Sequence, residues 1–322
     1  MNMSLRNLFG FLAANTFIAS GLVKRATKMA LNSECILSIY FHNPTKKEFE
    51  SCVRWLKEKG FTFLSVSDIE KIINNELPFP KGAVLLTADD GWQSNVVNIV
   101  EVANRYKVPV TIFVPTTPVE EGVYWWSYLE KAKQAGLKPL PKKLLKKMPE
   151  EMRSQVMQEI KKKVSPGREA MMIEQVKAIS DSAYVTIGSH TQTHPVLINC
   201  DELQVYEELK ISRQKLESWT GKEVVYFAYP NGDYGLREVQ MLKSLNYRVA
   251  FSSHPEYLTP DSLKDNFTLP RFGFLDGASF EENICRITGI WQPFMLKWIH
   301  SGFLKPKNSS PTPDSLELIH RS

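Results

Sequence analysis

Residues 84–91 read Val84-Leu85-Leu86-Thr87-Ala88-Asp89-Asp90-Gly91, an apolar run that stops on two carboxylates and a glycine. A short continuous apolar run bounded by turn residues is how a strand buried on both faces reads. Residues 185–195 repeat the pattern with different chemistry: Val185-Thr186-Ile187-Gly188 leads into Ser189-His190-Thr191-Gln192-Thr193-His194-Pro195. Outward from these two segments, β-like runs alternate with helix-like ones. Strands are expected at 36–41, 61–66, 83–87, 109–114, 184–187, 224–229, 247–251 and 268–271. The spacing predicts helices over 47–59, 69–74 (capped by Ser67-Asp68), 96–106, 203–219 and 236–245. Such alternation argues for an α/β fold of parallel strands covered by helices, with its chemistry at the C-terminal strand ends. Asp89-Asp90, His190 and Pro230-Asn231 all fall at such ends.

The chemistry of those ends is specific. One carboxylate and two imidazoles can hold a divalent metal with positions left open for water and substrate. A spare carboxylate beside them is what a metal hydrolase needs as a general base. Neighbouring side chains on a strand point to opposite sides, so Asp89 and Asp90 can share a site only if the strand ends there, which Gly91 permits. The plain alternative for Asp-Asp-Gly is a turn and cap. His190 and His194 are four residues apart, in a chain with only six histidines, and Gly188 and Pro195 favour a loop around them.

Composition sets the frame. The 322 residues are 43% hydrophobic and 23% charged, enough for a sizeable core. A net charge of +5 is mild, and no nucleic-acid-binding motif is present, so no nucleic-acid partner is expected. Cys35, Cys52, Cys200 and Cys285 are scattered and read as buried free thiols. Residues 1–34 form an N-terminal hydrophobic segment. Its apolar stretch, Leu8 to Val23, is short for a membrane span. It reads as a helix whose Leu8, Leu12, Ala19, Leu22 and Met29 face docks on the domain or a membrane surface, with a signal or anchor as the alternative. A cytoplasmic protein, peripheral at the inner membrane, is the expectation, with an exported or anchored form kept open. Residues 120–180 interrupt the rhythm with Trp125-Trp126 and a lysine-rich stretch (Lys131, Lys133, Lys138, Lys142, Lys143, Lys146, Lys147, Lys161, Lys162 and Lys163), a solvated helical insertion or a basic flap. Residues 291–322 form a C-terminal extension with a Ser- and Pro-rich end.

The motifs resemble those of the NodB-homology polysaccharide deacetylases. Thr87-Ala88-Asp89-Asp90-Gly91-Trp92 is similar to that family's Thr-Phe-Asp-Asp-Gly-Tyr, and His190-Thr191-Gln192-Thr193-His194 to its His-Ser/Thr-x-x-His. Phe227-Ala228-Tyr229-Pro230-Asn231-Gly232, Leu269-Pro270-Arg271 and the opening Tyr40-Phe41-His42 fit one branch of it. The likeness runs over roughly residues 36–289. It implies a distorted (β/α) barrel, with a single catalytic domain at 35–290 carrying the 120–180 insertion. It further implies Asp89 as general base, Asp90, His190 and His194 as ligands of one divalent metal, and Arg271 as the partner of the base. Zinc is the default metal, with nickel, cobalt, manganese and iron as alternatives. Tyr229, Pro230, Asn231 and Trp126 are candidate sugar-site residues, with core packing the alternative for Tyr229 and Trp126. The implied activity is removal of acetyl groups, N-acetyl first, from a saccharide that is a candidate for lipid linkage. A non-sugar amide hydrolase and a catalytically silent sugar-binding protein are the alternatives. Two departures stand out. Trp92 replaces a tyrosine, expected to alter packing rather than chemistry. The late Leu-x-His motif that supplies the family's acid is missing, leaving His254 and, more weakly, His300 as candidates.

Overall fold

Eight parallel strands form one curled sheet: β1 (Ile36–Phe41), β2 (Thr62–Leu64), β3 (Ala83–Ala88), β4 (Val110–Val114), β5 (Val185–Ser189), β6 (Tyr226–Ala228), β7 (Val249–Phe251) and β8 (Phe272–Gly273). This computed structural model describes residues 5–294, so His300 and the end of the C-terminal extension lie outside the described residues. The strand order is β7-β6-β5-β4-β3-β1-β8, with β2 paired to the first half of β3. The chain entering β8 also bonds to β7, through Leu269 N–H to Ala250 O at 3.0 Å and Ser252 N–H to Leu269 O at 2.9 Å. One short segment therefore joins the two edges, and the sheet curls into the expected distorted barrel.

The two-residue period of each strand sorts its side chains. Leu37, Ile39, Phe41, Val84, Leu86 and Ala88 pack outward under the helices. Ile36, Ala83, Leu85, Phe113, Phe251 and Leu269 fill the barrel interior. Continuing that alternation past Leu85 and Thr87 puts Asp89 inside, and continuing it past Thr186 and Gly188 puts His190 inside. Gly188 is required there, because a Cβ would lie 2.4 Å from the Phe113 ring.

Several expected boundaries shift for local reasons. The helix expected at 69–74 runs Val66–Ile73, capped by Ser65 rather than Ser67-Asp68: Asp68 is the third residue of a capping box and returns a bond to Ser65 N–H at 2.8 Å. The last strand falls at β8 instead of 268–271, because Pro270 has no N–H and leaves only a single bridge at Leu269. Four helices, Thr116–Glu121, Trp125–Gln134, Lys142–Leu145 and Glu150–Lys161, build much of the insertion. It has its own small core of Trp125, Leu129, Leu145 and Met157, so it is a packed wall rather than a solvated appendage. The four cysteines are free and buried.

The N-terminal segment docks, but by the opposite face from the one expected. It breaks at Gly21 (φ 77°) into Leu5–Ala19 and Leu22–Asn32. Gly10 and Ala14 are buried against the helix Phe280–Ile287, where a Cβ on Gly10 would meet the Glu282 carboxylate at 2.0 Å. Small residues let the two helices approach closely; the bulky Leu8, Leu12, Leu22 and Met29 point to solvent, Leu12 with 56% exposure. No helix among the described residues is long and apolar enough to cross a membrane.

Candidate active site

A cleft of about 800 Å³ opens at the C-terminal ends of the strands, and Asp89, Asp90, His190 and His194 line its floor. At the end of β3 the two aspartates diverge in task. Asp89 keeps the strand's alternation and meets Arg271, which is wholly buried where the sheet closes on itself. The guanidinium binds the carboxylate through two bonds, NH1 to Oδ1 at 2.8 Å and NH2 to Oδ2 at 2.9 Å. Its remaining donors go to Thr87 Oγ1 and Ser252 O, both at 2.9 Å. Burial alone would raise the Asp89 carboxyl, but the Arg271 charge and hydrogen bonds, together with the nearby His190 and His42, outweigh it and hold it below the usual carboxylate range.

Asp90 leaves the alternation through a left-handed backbone (φ 73°), which brings its side chain into the same cleft. Thr191, His194 and Asn231 also have φ near +60° to +70°. Left-handed backbone at residues other than glycine is costly and clusters at functional sites. Asp90 Oδ1 lies 3.5 Å from His190 Nε2 and 3.1 Å from His194 Nε2. Burial would raise this carboxyl too, but hydrogen bonding with the two imidazoles holds it well below its ordinary value.

These three residues fit a metal. Their donor atoms all lie within 4.8 Å of one another and all three are buried. His190 Nδ1 is 2.7 Å from Ala228 O, a contact that requires the proton on Nδ1. That leaves Nε2 as the ring atom facing the Asp90 carboxylate, in position to share a cation with it. Burial pushes His194 down to about 4, so it is neutral and ready to ligate at ordinary pH. Its Nδ1 is buried without a partner among the described residues.

The surroundings fix the ligands. Glu208, on the helix Glu202–Thr220, accepts from Gln192 N–H and Thr193 N–H at 2.8 Å each and from Thr193 Oγ1 at 2.6 Å, clamping the loop between the histidines. Tyr124 OH donates to Asp90 O at 3.0 Å, and Trp125 Nε1 to His194 O at 3.2 Å. Trp92 does more than pack: its Nε1–H donates to Asp90 Oδ2 at 3.2 Å. This bond corrects the expectation that Trp92 leaves the chemistry untouched. None of these partners lies near its target in sequence except Trp92.

The other candidates separate. Trp126 lines the cleft, stacked on Tyr124 at 4.7 Å and edge-on to His194 at 4.8 Å. Asn231 lines it and accepts from Lys146 Nζ. Tyr229 reaches the cleft but is 1% exposed, with its hydroxyl on Phe267 O at 3.0 Å, so it is mainly a core residue. Pro230 is buried in the turn that presents Asn231 and does not line the cleft. His254 is solvent-exposed, bonded to Glu256 at 3.1 Å and outside the cleft. His42, at the end of β1, lines the cleft beside Asp89 and Asp276 instead. It was legible as part of Tyr40-Phe41-His42, but its place opposite the base requires the β1–β3 pairing.

The polysaccharide deacetylase family profile matches residues 76–250. YxkH of Bacillus subtilis is 20% identical over 210 residues, spanning 65% of this chain and 58% of that protein. The poly-β-1,6-N-acetyl-D-glucosamine N-deacetylase of Staphylococcus aureus strain N315 is 24% identical over 260 residues, 78% of this chain and 77% of the relative. In three dimensions, IcaB from Ammonifex degensii superposes with a TM-score of 0.58 at 18% identity, covering 80% of this chain and 98% of that one, and so shares the fold. A curled parallel sheet with a buried Asp-His-His group at its strand ends defines a deacetylase-type hydrolase fold. The chain belongs to the polysaccharide deacetylase family.

Proposed function

We propose that this protein is a divalent-metal-dependent hydrolase that removes acetyl groups, N-acetyl first, from a saccharide. The observation that carries this reading is the convergence, on one cleft floor, of the Asp89–Arg271 pair and the Asp90, His190 and His194 donors. Asp90, His190 and His194 hold the metal, with zinc the first choice for two imidazoles and a carboxylate, and nickel, cobalt, manganese or iron as alternatives. A divalent cation supplies Lewis acidity there, acidifying water and polarising the acetyl carbonyl. Asp89, kept ionised by Arg271, takes the proton as the water oxygen bonds to the acetyl carbon. His42 faces the cleft from β1 and returns a proton to the departing nitrogen as the carbon–nitrogen bond breaks, leaving acetate and an amine. Trp126 and Asn231 border the sugar. An acetate-release assay on a panel of N- and O-acetylated saccharides, with metal analysis of the same sample, tests this. Metal-loaded protein that releases no acetate from any of them would overturn it.

The N-terminal helices support a place at a membrane surface. Leu5, Leu8, Phe9 and Leu12 share an exposed face of Leu5–Ala19. No charged residue occurs between Arg6 and Lys24, and Lys24, Arg25 and Lys28 follow, exposed. This is the pattern of a helix lying in a headgroup layer. Asn7 bonds to Gly277 O, next to cleft-lining Asp276, so the apolar face lies close to the mouth of the cleft. Co-sedimentation with anionic vesicles should fall in Leu8→Gln/Leu12→Gln; unchanged sedimentation would remove the membrane from the reading.

A further inference from the structure

Two groups of lysines in the insertion differ in their partners. Three that face outward have carboxylate partners: Lys133 with Glu130 at 2.8 Å, Lys161 with Glu121 at 3.0 Å and Lys162 with Glu159 at 2.6 Å. The other group, Lys142, Lys143, Lys146 and Lys147, forms one wall of the cleft. Lys142 and Lys146 are only partly exposed, and among the described residues neither has an ion pair. Lys142 Nζ sits 4.4 Å above the Trp126 ring, and Trp126 is edge-on to His194. Lys146 Nζ donates to the amide oxygen of Asn231 on the opposite rim. Two ammonium groups thus flank the mouth of the metal-capable floor.

Holding them there has a cost. Burial pushes Lys142 down to about 8 and also lowers Lys146, so the protein's own groups leave both short of compensating charge. The carboxylates lining the cleft offset this only in part: Asp90 attracts both lysines and Asp233 attracts Lys146, yet burial prevails for each. Asp89 is matched by Arg271, Asp90 faces the imidazoles, and Asp233 and Asp276 lie outside ion-pair distance of either lysine. A cation on Asp90 makes the cleft more positive still. A neutral sugar has no use for such a wall; a phosphate or diphosphate, with several acceptor oxygens, matches two converging ammonium groups.

We propose that the saccharide deacetylated here carries a phosphate or diphosphate, and that Lys142 and Lys146 bind it beside the acetylated sugar. This rests on the deacetylase reading but is tested apart from it. The metal-loaded full chain is titrated by calorimetry with N-acetylglucosamine and with its 1-phosphate, and lysine acylation is mapped with and without each ligand. The phosphorylated sugar should bind about a hundredfold tighter, with Lys142→Gln and Lys146→Gln each removing about tenfold of that preference. Raising the salt should erode the preference. Lys142 and Lys146 should be protected from acylation by the phosphorylated sugar alone. Equal binding of both sugars with no protection would overturn the proposal, whether or not acetate is released. Acetate release is then compared for a water-soluble sugar diphosphate and a polyprenyl-diphosphate-linked sugar. Equal turnover assigns a soluble phosphate, and excess turnover of the second assigns a lipid carrier. If neither sugar yields acetate while the phosphate preference in binding persists, the deacetylase reading fails and the anion site stands.

Discussion

Replacing Arg271 by methionine removes a guanidinium that is wholly buried and makes four hydrogen bonds, two of them to Asp89. The Asp89 carboxylate is only 4% exposed and among the described residues pairs with no other Lys or Arg. Breaking a buried pair by deleting one partner costs about 3–5 kcal/mol, because the remaining charge is stranded. The pH dependence should also reverse. In the native protein Asp89 titrates below its unfolded value, so its contribution is present above the ordinary carboxyl range and is lost as pH falls through the lowered native pKa. In Arg271→Met, burial, the largest influence on this carboxyl, loses its main opponent and raises that pKa. The variant should then lose stability as pH rises above the ordinary carboxyl range, and its loss relative to the native protein should be larger at pH 8 than at pH 5. Urea denaturation across this range measures the first effect. The acid limb of kcat/KM for acetate release, expected to move up in pH, measures the second, and Arg271→Lys should restore part of each. A destabilisation under about 1 kcal/mol, below what stranding a buried charge costs, with an unmoved acid limb would refute the role assigned to Arg271.

Three other variants probe the supports of the site. Glu208→Ala leaves two backbone N–H groups and the Thr193 hydroxyl without their acceptor, so thermal unfolding should show a loss of about 2–4 kcal/mol. Metal titration of the same variant should show affinity down by about 10–100-fold. Gly188→Ala forces a Cβ against Phe113 and should cost about 1–3 kcal/mol in urea denaturation. His42→Gln should keep its metal while kcat for acetate release drops by about 10²–10⁴-fold; an unchanged kcat would return the acid role to another group.

What the sequence made legible were the features written in local pattern. The apolar run ending on Asp89-Asp90 marked a buried strand and its catalytic end, and the parallel sheet followed from the alternation around it. Asp90, His190 and His194 were visible as a ligand set because their spacing and strand-end positions are sequence properties. Of the two places expected for the bulky face of the N-terminal helix, the domain is not the one it packs on. Helix packing there selected Gly10 and Ala14, which carry almost no hydrophobic signal. Glu208 and His42 escaped because their roles exist only after distant segments meet, and the Trp92 bond because it depends on the left-handed turn at Asp90. The basic insertion was readable as composition, but which lysines face the cleft depends on the turn from Pro141 into Lys142–Leu145.

The central claim is that Asp89 moves the proton while Asp90 and the two histidines hold the metal. Metal content and acetate release, measured together on the native protein, Asp89→Asn and His190→Ala, test it most directly. The account predicts one metal per chain and steady acetate release for the native protein. Asp89→Asn should keep the metal and lose turnover, and His190→Ala should lose both. Undiminished acetate release by Asp89→Asn would contradict it.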